Sequence, residues 1–280
     1  MVGDIDELWD YDEPAASETR FREALANETS PERVHELMTQ LARAVGLQRR
    51  FEDAHSILDE VTPATPRVEV RHLLERGRVL NSSGKPDEAK PLFVDSFELA
   101  QANGMEFLAA DAAHMVAIVT SGAEAIAWNQ KTLDIAEVAE DERARKWTQS
   151  IRNNMGWAYY DLGEFENSLQ QFEIAEELSR GGPVKRHLIA RWCVAKAKRA
   201  LGRYEEALAE QLNLEIANKE IQSDDAFVQE ELGECLLALR RTEEARRHFV
   251  QAYEKLSKIA WVAEDQPDRM SRIKDLAGLS

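Results

Sequence analysis

Apolar positions recur along most of this chain at the three- and four-residue intervals of amphipathic helices, and the stripes come in pairs. In the clearest stretch Met155, Tyr159 and Leu162 continue one stripe, while Phe165, Leu169 and Phe172 begin the next. Gly163 falls at the break, where a helix C-terminus calls for a left-handed residue that glycine adopts without strain. Gly84 and Gly202 hold the same place in sister segments. Arg49, Thr120 and Arg240 hold it elsewhere, and less regular turns are predicted there.

The pairs repeat. Six segments carry a small residue followed twelve positions later by another: Ala42 and Ala54, Gly77 and Ala89, Ala113 and Ala125, Gly156 and Ser168, Ala195 and Ala207, Gly233 and Ala245. Small residues at both places let two helices approach closely where ordinary side chains would hold the backbones apart. The second members recur at intervals between 35 and 43 residues, enough for a helix, a turn, a second helix and a second turn.

The run from Asn154 through Gly156, Trp157, Ala158, Tyr159, Leu162, Gly163 and Phe165 to Ser168, Phe172 and Ala175 resembles the tetratricopeptide repeat family. Leu201 to Leu208, and Thr242 to Ala245 with Phe249 and Ala252, repeat the second half of the pattern. The resemblance implies an all-α, right-handed superhelical solenoid of about six helix pairs with capping helices at both ends, forming a single domain. The expected divisions are an acidic tail at 1–13, a capping half-repeat at 14–30, six repeats at 31–257 and a C-terminal capping helix at 258–280. The half-repeat is marked by Ser17, Phe21 and Ala24, and Ser30-Pro31 predicts a helix N-cap with proline at the first helical position. The chain departs from the family in its long repeats, in a third repeat without a turn glycine, and in Asn129 and Gln211 at places where the family holds a large residue.

Composition narrows the function classes. Of 280 residues, 35 are Lys or Arg and 52 Asp or Glu, and a net charge of -17 repels nucleic-acid phosphates and anionic membranes. Neither class of partner is expected. Cys193 and Cys235 stand in no metal-binding or redox spacing and read as buried thiols. The start, Met1 to Trp9, lacks the basic and then apolar order of a secretory leader, and the apolar stretch Phe107 to Val119 is too short to span a bilayer, so a cytoplasmic setting is expected. No nucleophile elbow, phosphate loop, zincin or dinucleotide motif occurs, so no catalytic residue, metal or cofactor is assigned.

In the family resembled, first helices of successive units line a concave groove that holds ligands, and its groove places carry over by register from the first small residue. One place after it stand Arg43, Arg78, His114, Trp157, Lys196 and Glu234; two before it, Gln40, Glu75, Asp111, Asn154, Cys193 and Glu231. Asn153 and Trp192 stand three before, and Tyr160 and Arg199 four after. From these the candidate site is Arg43, Arg78, Asp111, His114, Asn153, Asn154, Trp157, Tyr160, Trp192, Lys196 and Arg199. Asp111 and His114 share a helix face and read either as an acid–base or metal pair or as polar contacts lining the groove. The resemblance makes Asn154 an amide for a peptide backbone. Trp157, Tyr160 and Trp192 are read as rigid contact area, or as packing between helices. From Arg180 to Arg203 there is no acid and eight basic residues, read either as a positive ligand surface or as a helix neutralised by Glu173, Glu176 and Glu177.

The expected function is therefore non-enzymatic: a groove that holds an acidic or extended segment of a partner protein or peptide, the carboxylates meeting Arg43, Arg78, His114, Lys196 and Arg199. Two alternatives stand beside it, a self-associating scaffold and a peptide-sensing regulator without a DNA-binding domain. The tail from Asp4 to Glu13, acidic and punctuated by Trp9 and Tyr11, reads either as frayed or as an occupant of the groove of its own or a neighbouring chain.

Overall fold

The computed structural model describes residues 5–279. Of the acidic tail, residues 1–4 lie outside the described residues, as does Ser280. Among the described residues the fold is all-α and repetitive. A short 3-10 helix, Ile5–Leu8, precedes α1 (Pro14–Asn27), and six helix pairs follow. These are α2 (Pro31–Leu47) with α3 (Phe51–Asp59), α4 (Pro66–Ser82) with α5 (Pro86–Ala102), and α6 (Glu106–Ile118) with α7 (Gly122–Val138). After a single turn, α8 (Glu142–Arg145), come α9 (Thr148–Asp161) with α10 (Phe165–Ser179), α11 (Val184–Ala200) with α12 (Tyr204–Glu220), and α13 (Ala226–Ala238) with α14 (Thr242–Leu256). Two helices, α15 (Ala260–Asp265) and α16 (Pro267–Ala277), close the chain where one was expected.

Contacts divide the chain into two compact units, Met1–Ile151 and Arg152–Ser280. In the N-terminal unit Phe21, Leu37, Leu41, Val45 and Leu58 form one buried cluster, and Leu74, Phe93, Leu108, Ala113 and Val116 another. In the C-terminal unit Leu169, Phe172, Cys193 and Val194 pack together, as do Leu214, Leu232, Phe249, Leu256 and Ile273. The last of these comes from α16, which lies on α14 and receives a hydrogen bond from Arg246 Nε to the Ala277 carbonyl at 3.0 Å.

Local chemistry sets the helix ends. Proline opens α1, α2, α4, α5 and α16, where its missing N–H costs nothing. Thr65 and Asp225 cap α4 and α13 through their side chains. Ser30 makes no such bond; the Glu28 carboxylate accepts from the Thr29 and Ser30 amides instead. The turns at Arg49 and Arg240 are more regular than expected, for both residues take the left-handed conformation, at φ 63° and 61°. The turn closes with the same amide-to-carbonyl bond in five pairs: Arg50 to Val45, Lys85 to Leu80, Glu164 to Tyr159, Arg203 to Lys198 and Arg241 to Leu236. Only the third pair differs, with no left-handed residue before α7 other than its own first residue, Gly122.

The first small residue of each pair faces a definite partner. A Cβ on Gly77, Gly156 or Gly233 would stand under 3.0 Å from the ring of Phe93, Phe172 or Phe249, sixteen residues further on. In the other three pairs the first place is alanine and the sixteenth is Leu58, Asn129 or Gln211, all buried and all slimmer than phenylalanine. Glycine with a phenylalanine ring, or alanine with a slimmer side chain, fills a similar space. That explains the two departures from the family pattern as volume matches. Gln211 carries a cost, because both its amide nitrogen and its oxygen are buried without a partner.

Two outcomes follow for urea unfolding. Gly156→Ala pushes a methyl into the Phe172 ring and lowers stability by about 1–3 kcal/mol. Gln211→Leu removes an unsatisfied amide at nearly constant volume and raises stability by about 1 kcal/mol. A neutral result for both variants rejects the volume-matching account.

Candidate functional site

In the N-terminal unit four of the predicted residues, Arg43, Arg78, Asp111 and His114, come together on the first-helix face of α2, α4 and α6. Arg78 Nη1 donates to Glu75 Oε1 at 2.7 Å and Nη2 to Asp111 Oδ1 at 2.5 Å. Gln40 Nε2 donates to the same Glu75 oxygen at 3.2 Å, and Arg43 lies 3.9 Å from the other. Burial would raise the Asp111 pKa, but the Arg78 and Arg43 charges outweigh it and hold the carboxyl below its ordinary value. Asp111 is thus spent on Arg78. It does not form an acid–base dyad with His114, whose ring packs 4.6 Å from that of Trp147 and whose Nδ1 is buried without a partner. Burial pushes the His114 pKa down to about 4, against the raising effect of Asp111 and with the lowering effect of Arg78.

Residues 5–11 lie on this same face. Trp9 Nε1 donates to Gln40 Oε1 at 3.1 Å, and the Trp9 and Tyr11 rings stack at 4.7 Å, nearly parallel. The Arg43 guanidinium sits 5.3 Å from both ring centres. Asp6 pairs with Arg143 at 2.7 Å, and Ile5 is buried. The frayed reading of these residues is corrected: apolar contact with Phe21 and the Arg43 cation hold them down.

In the C-terminal unit the predicted aromatics form the start of a ladder. Ring centres stand 6.0 Å apart from Trp157 to Trp192, 6.2 Å from Trp192 to Phe227 and 6.1 Å from Phe227 to Trp261. Tyr160 leans on Trp157, which also meets Phe172 edge-on. Beside the ladder opens a cavity of about 550 Å³, lined by Leu188, Ile189, Trp192, Phe227 and Ile259 among others, with Lys185 and Lys255 at polar places. Asn153 accepts a weak bond from the Cys193 thiol at 3.5 Å. The partly exposed Asn154 amide has no hydrogen-bond partner among the described residues.

Five of the eight cations of the basic run are paired, and mostly from the other direction than expected. Lys196 Nζ and Arg199 Nε each donate to Glu231 at 2.6 Å, from the following first helix. Arg191 pairs with Glu210, Arg203 with Glu206, and only Arg180 turns back to Glu177. Burial would raise the Glu231 pKa, and the two cations more than reverse it. Lys196 keeps a second role over the Trp192 ring, 5.1 Å from its centre.

Among the described residues no cluster of His, Cys, Asp or Glu could hold a metal ion, and no helix is long and apolar enough to cross a membrane. Burial pushes the thiols of Cys193 and Cys235 up to about 12. The tetratricopeptide repeat family model matches residues 148–175, the pair that builds the first rungs of the ladder. That segment is similar to the tetratricopeptide repeat family. Solved structures agree on the fold across the chain. A signal transduction ATPase with numerous domains from Pyrococcus horikoshii, which has a tetratricopeptide repeat sensor, aligns with TM-score 0.73 and 14% identity over 93% of this chain and 41% of its own. This chain therefore spans less than half of that protein. RapI in its apo form aligns with TM-score 0.72 and 13% identity, over 97% of this chain and 82% of its own. NprR in complex with its cognate peptide NprX aligns with TM-score 0.59 and 12% identity, over 98% and 87%. A comparison with curated protein sequences gives no significant match.

Two features of this repeat protein escaped the register. Phe227 and Trp261 continue the ladder off the places carried over from the family, yet the four rungs recur every 34 or 35 residues, a period visible in the sequence. The acid partners were on the register but unassigned: the cation one place after the small residue meets the acid two places before the next one, as Arg78 meets Asp111 and Lys196 meets Glu231.

The buried His114 sets a pH dependence. In the unfolded chain its pKa is about 6.5, so as pH falls below that value the unfolded state takes up a proton that the folded state refuses until about 4. Stability is lost through that window. Replacing it with phenylalanine is expected to reduce the loss between pH 6.5 and 5 by about 1.5 kcal/mol, read from urea midpoints at each pH.

Proposed function

We propose that this protein is a non-enzymatic binding module that holds an extended segment of a partner protein or peptide along the aromatic ladder of residues 152–280. The ladder carries the reading. Four rings in a row beside an open apolar cavity, with Trp261 and Ile189 about half exposed, supply rigid contact area to bury against apolar side chains. The unpartnered Asn154 amide, on α9, offers both a donor and an acceptor to a peptide backbone. NprR, similar in fold, is a protein solved with a cognate peptide, which supports a peptide as the class of ligand.

A carboxylate-rich partner, expected from the sequence, fits this face less well. Lys196 and Arg199 already share Glu231, so a ligand carboxylate would have to compete with an acid that is buried and doubly bonded. Apolar anchors with backbone capture fit the surface better.

A random peptide library selected on the wild-type protein, with counter-selection on the Trp261→Ala/Asn154→Ala variant, checks the proposal. Both sites are at least partly exposed, so helical content is expected to be kept. Enriched peptides should carry apolar or aromatic residues and bind the variant about thirtyfold more weakly, near 2 kcal/mol for a hot-spot ring. Equal binding to both proteins rejects the ladder as the site.

A further inference from the structure

The geometry points to a second, self-occupied binding surface in the N-terminal unit: the face of Gln40, Arg43 and Arg78 takes an acidic extended segment bearing two aromatic side chains, and residues 5–11 of this chain are its resident competitor. This surface is separate from the ladder, and the inference does not rest on that reading.

Four observations carry it. Beyond Ile5, which joins the core cluster of Phe21 and Leu37, the segment sits on the first-helix face, at Gln40 and Arg43. It runs as one turn of 3-10 helix and then irregular backbone, so it completes no helix pair. Its acids meet cations beside the face: Asp6 is held by Arg143 of α8, and Asp10 lies 3.8 Å from Arg20 of α1. The Tyr11 ring stacks on Trp9, with the Arg43 guanidinium 5.3 Å from its centre.

The contacts are also of a kind that exchanges. Arg43 over two rings contributes about 0.5–1 kcal/mol per ring at an exposed site. A partly exposed ion pair such as Asp6–Arg143 contributes about 0–1 kcal/mol. The Tyr11 ring is 58% exposed, so a competitor can meet it from outside. Firm apolar anchorage comes from the buried Ile5, from Leu8 against the same cluster, and from the edge-on contact of Trp9 with Phe21. Such a tether persists because the segment is covalently held at an effective concentration of roughly millimolar. A partner segment of like chemistry and higher intrinsic affinity displaces it, whereas an isolated weak one does not.

The test uses the full chain and a fluorescent synthetic peptide of residues 5–13. Trp9→Ala/Tyr11→Ala frees the face, so the peptide is expected to bind this variant at least about tenfold more tightly than it binds the wild type. Adding Arg43→Ala to the variant removes the binding, while adding Trp261→Ala leaves it unchanged. Equal affinity for wild type and variant overturns the inference, as does indifference to Arg43, or failure to bind a variant that keeps wild-type helical content. Should the double variant unfold, hydrogen exchange of the wild type with excess peptide decides instead. Faster exchange confined to residues 5–13, with α2 and α4 still protected, supports displacement; an unchanged pattern rejects it.

Discussion

The close approach of a phenylalanine ring to a glycine backbone is the constraint on which the C-terminal unit's surface depends. At Gly156 the absent Cβ lets Phe172 lie against α9, and the next residue, Trp157, then meets the outer edge of the same ring. The ladder therefore starts from a core contact: the depth at which Phe172 sits decides how far Trp157 stands out and how near it comes to Trp192. Where the pair is alanine with leucine, asparagine or glutamine, the helices are spaced by a different division of about the same volume. Buried amides at Asn129 and Gln211 show that shape prevailed over polarity at those places.

Charge pairing between successive first helices is the second organising feature. A chain with an excess of acids was expected to show its few groove cations to a ligand. In the folded protein the repeat period brings Arg78 beside Asp111, and Lys196 and Arg199 beside Glu231, acids of the next repeat in the same chain. Such pairs stabilise little on balance, because desolvation offsets much of their attraction. Their larger effect is on recognition: they leave the aromatic rings and the Asn154 amide as the groups with unspent capacity.

The two units consequently present different chemistry from the same repeat plan. In residues 1–151 the first helices carry a buried ionic network roofed by a cation and two stacked rings from the N-terminal segment. In residues 152–280 they carry a row of aromatics beside an apolar cavity. One plan yields both because first-helix places outside the small-residue contact are free to vary without disturbing the pairing of helices.

The sequence by itself determined the helix pairs, their small-residue register and the turns, since these follow from local periodicity and from residues with restricted backbone preferences. Even the arginines at two turn places obeyed the rule, because helix closure is a backbone demand that Arg49 and Arg240 meet despite the strain. The same register placed the candidate residues on the first helices. Tertiary structure alone decided what those residues do. Whether Lys196 is free or spent on Glu231, whether Asp111 serves His114 or Arg78, and whether Trp9 frays or lies on Gln40 are all questions of distance between side chains far apart in sequence. Those distances are set by how closely each pair packs on the next, and helical periodicity within a single pair contains no measure of it.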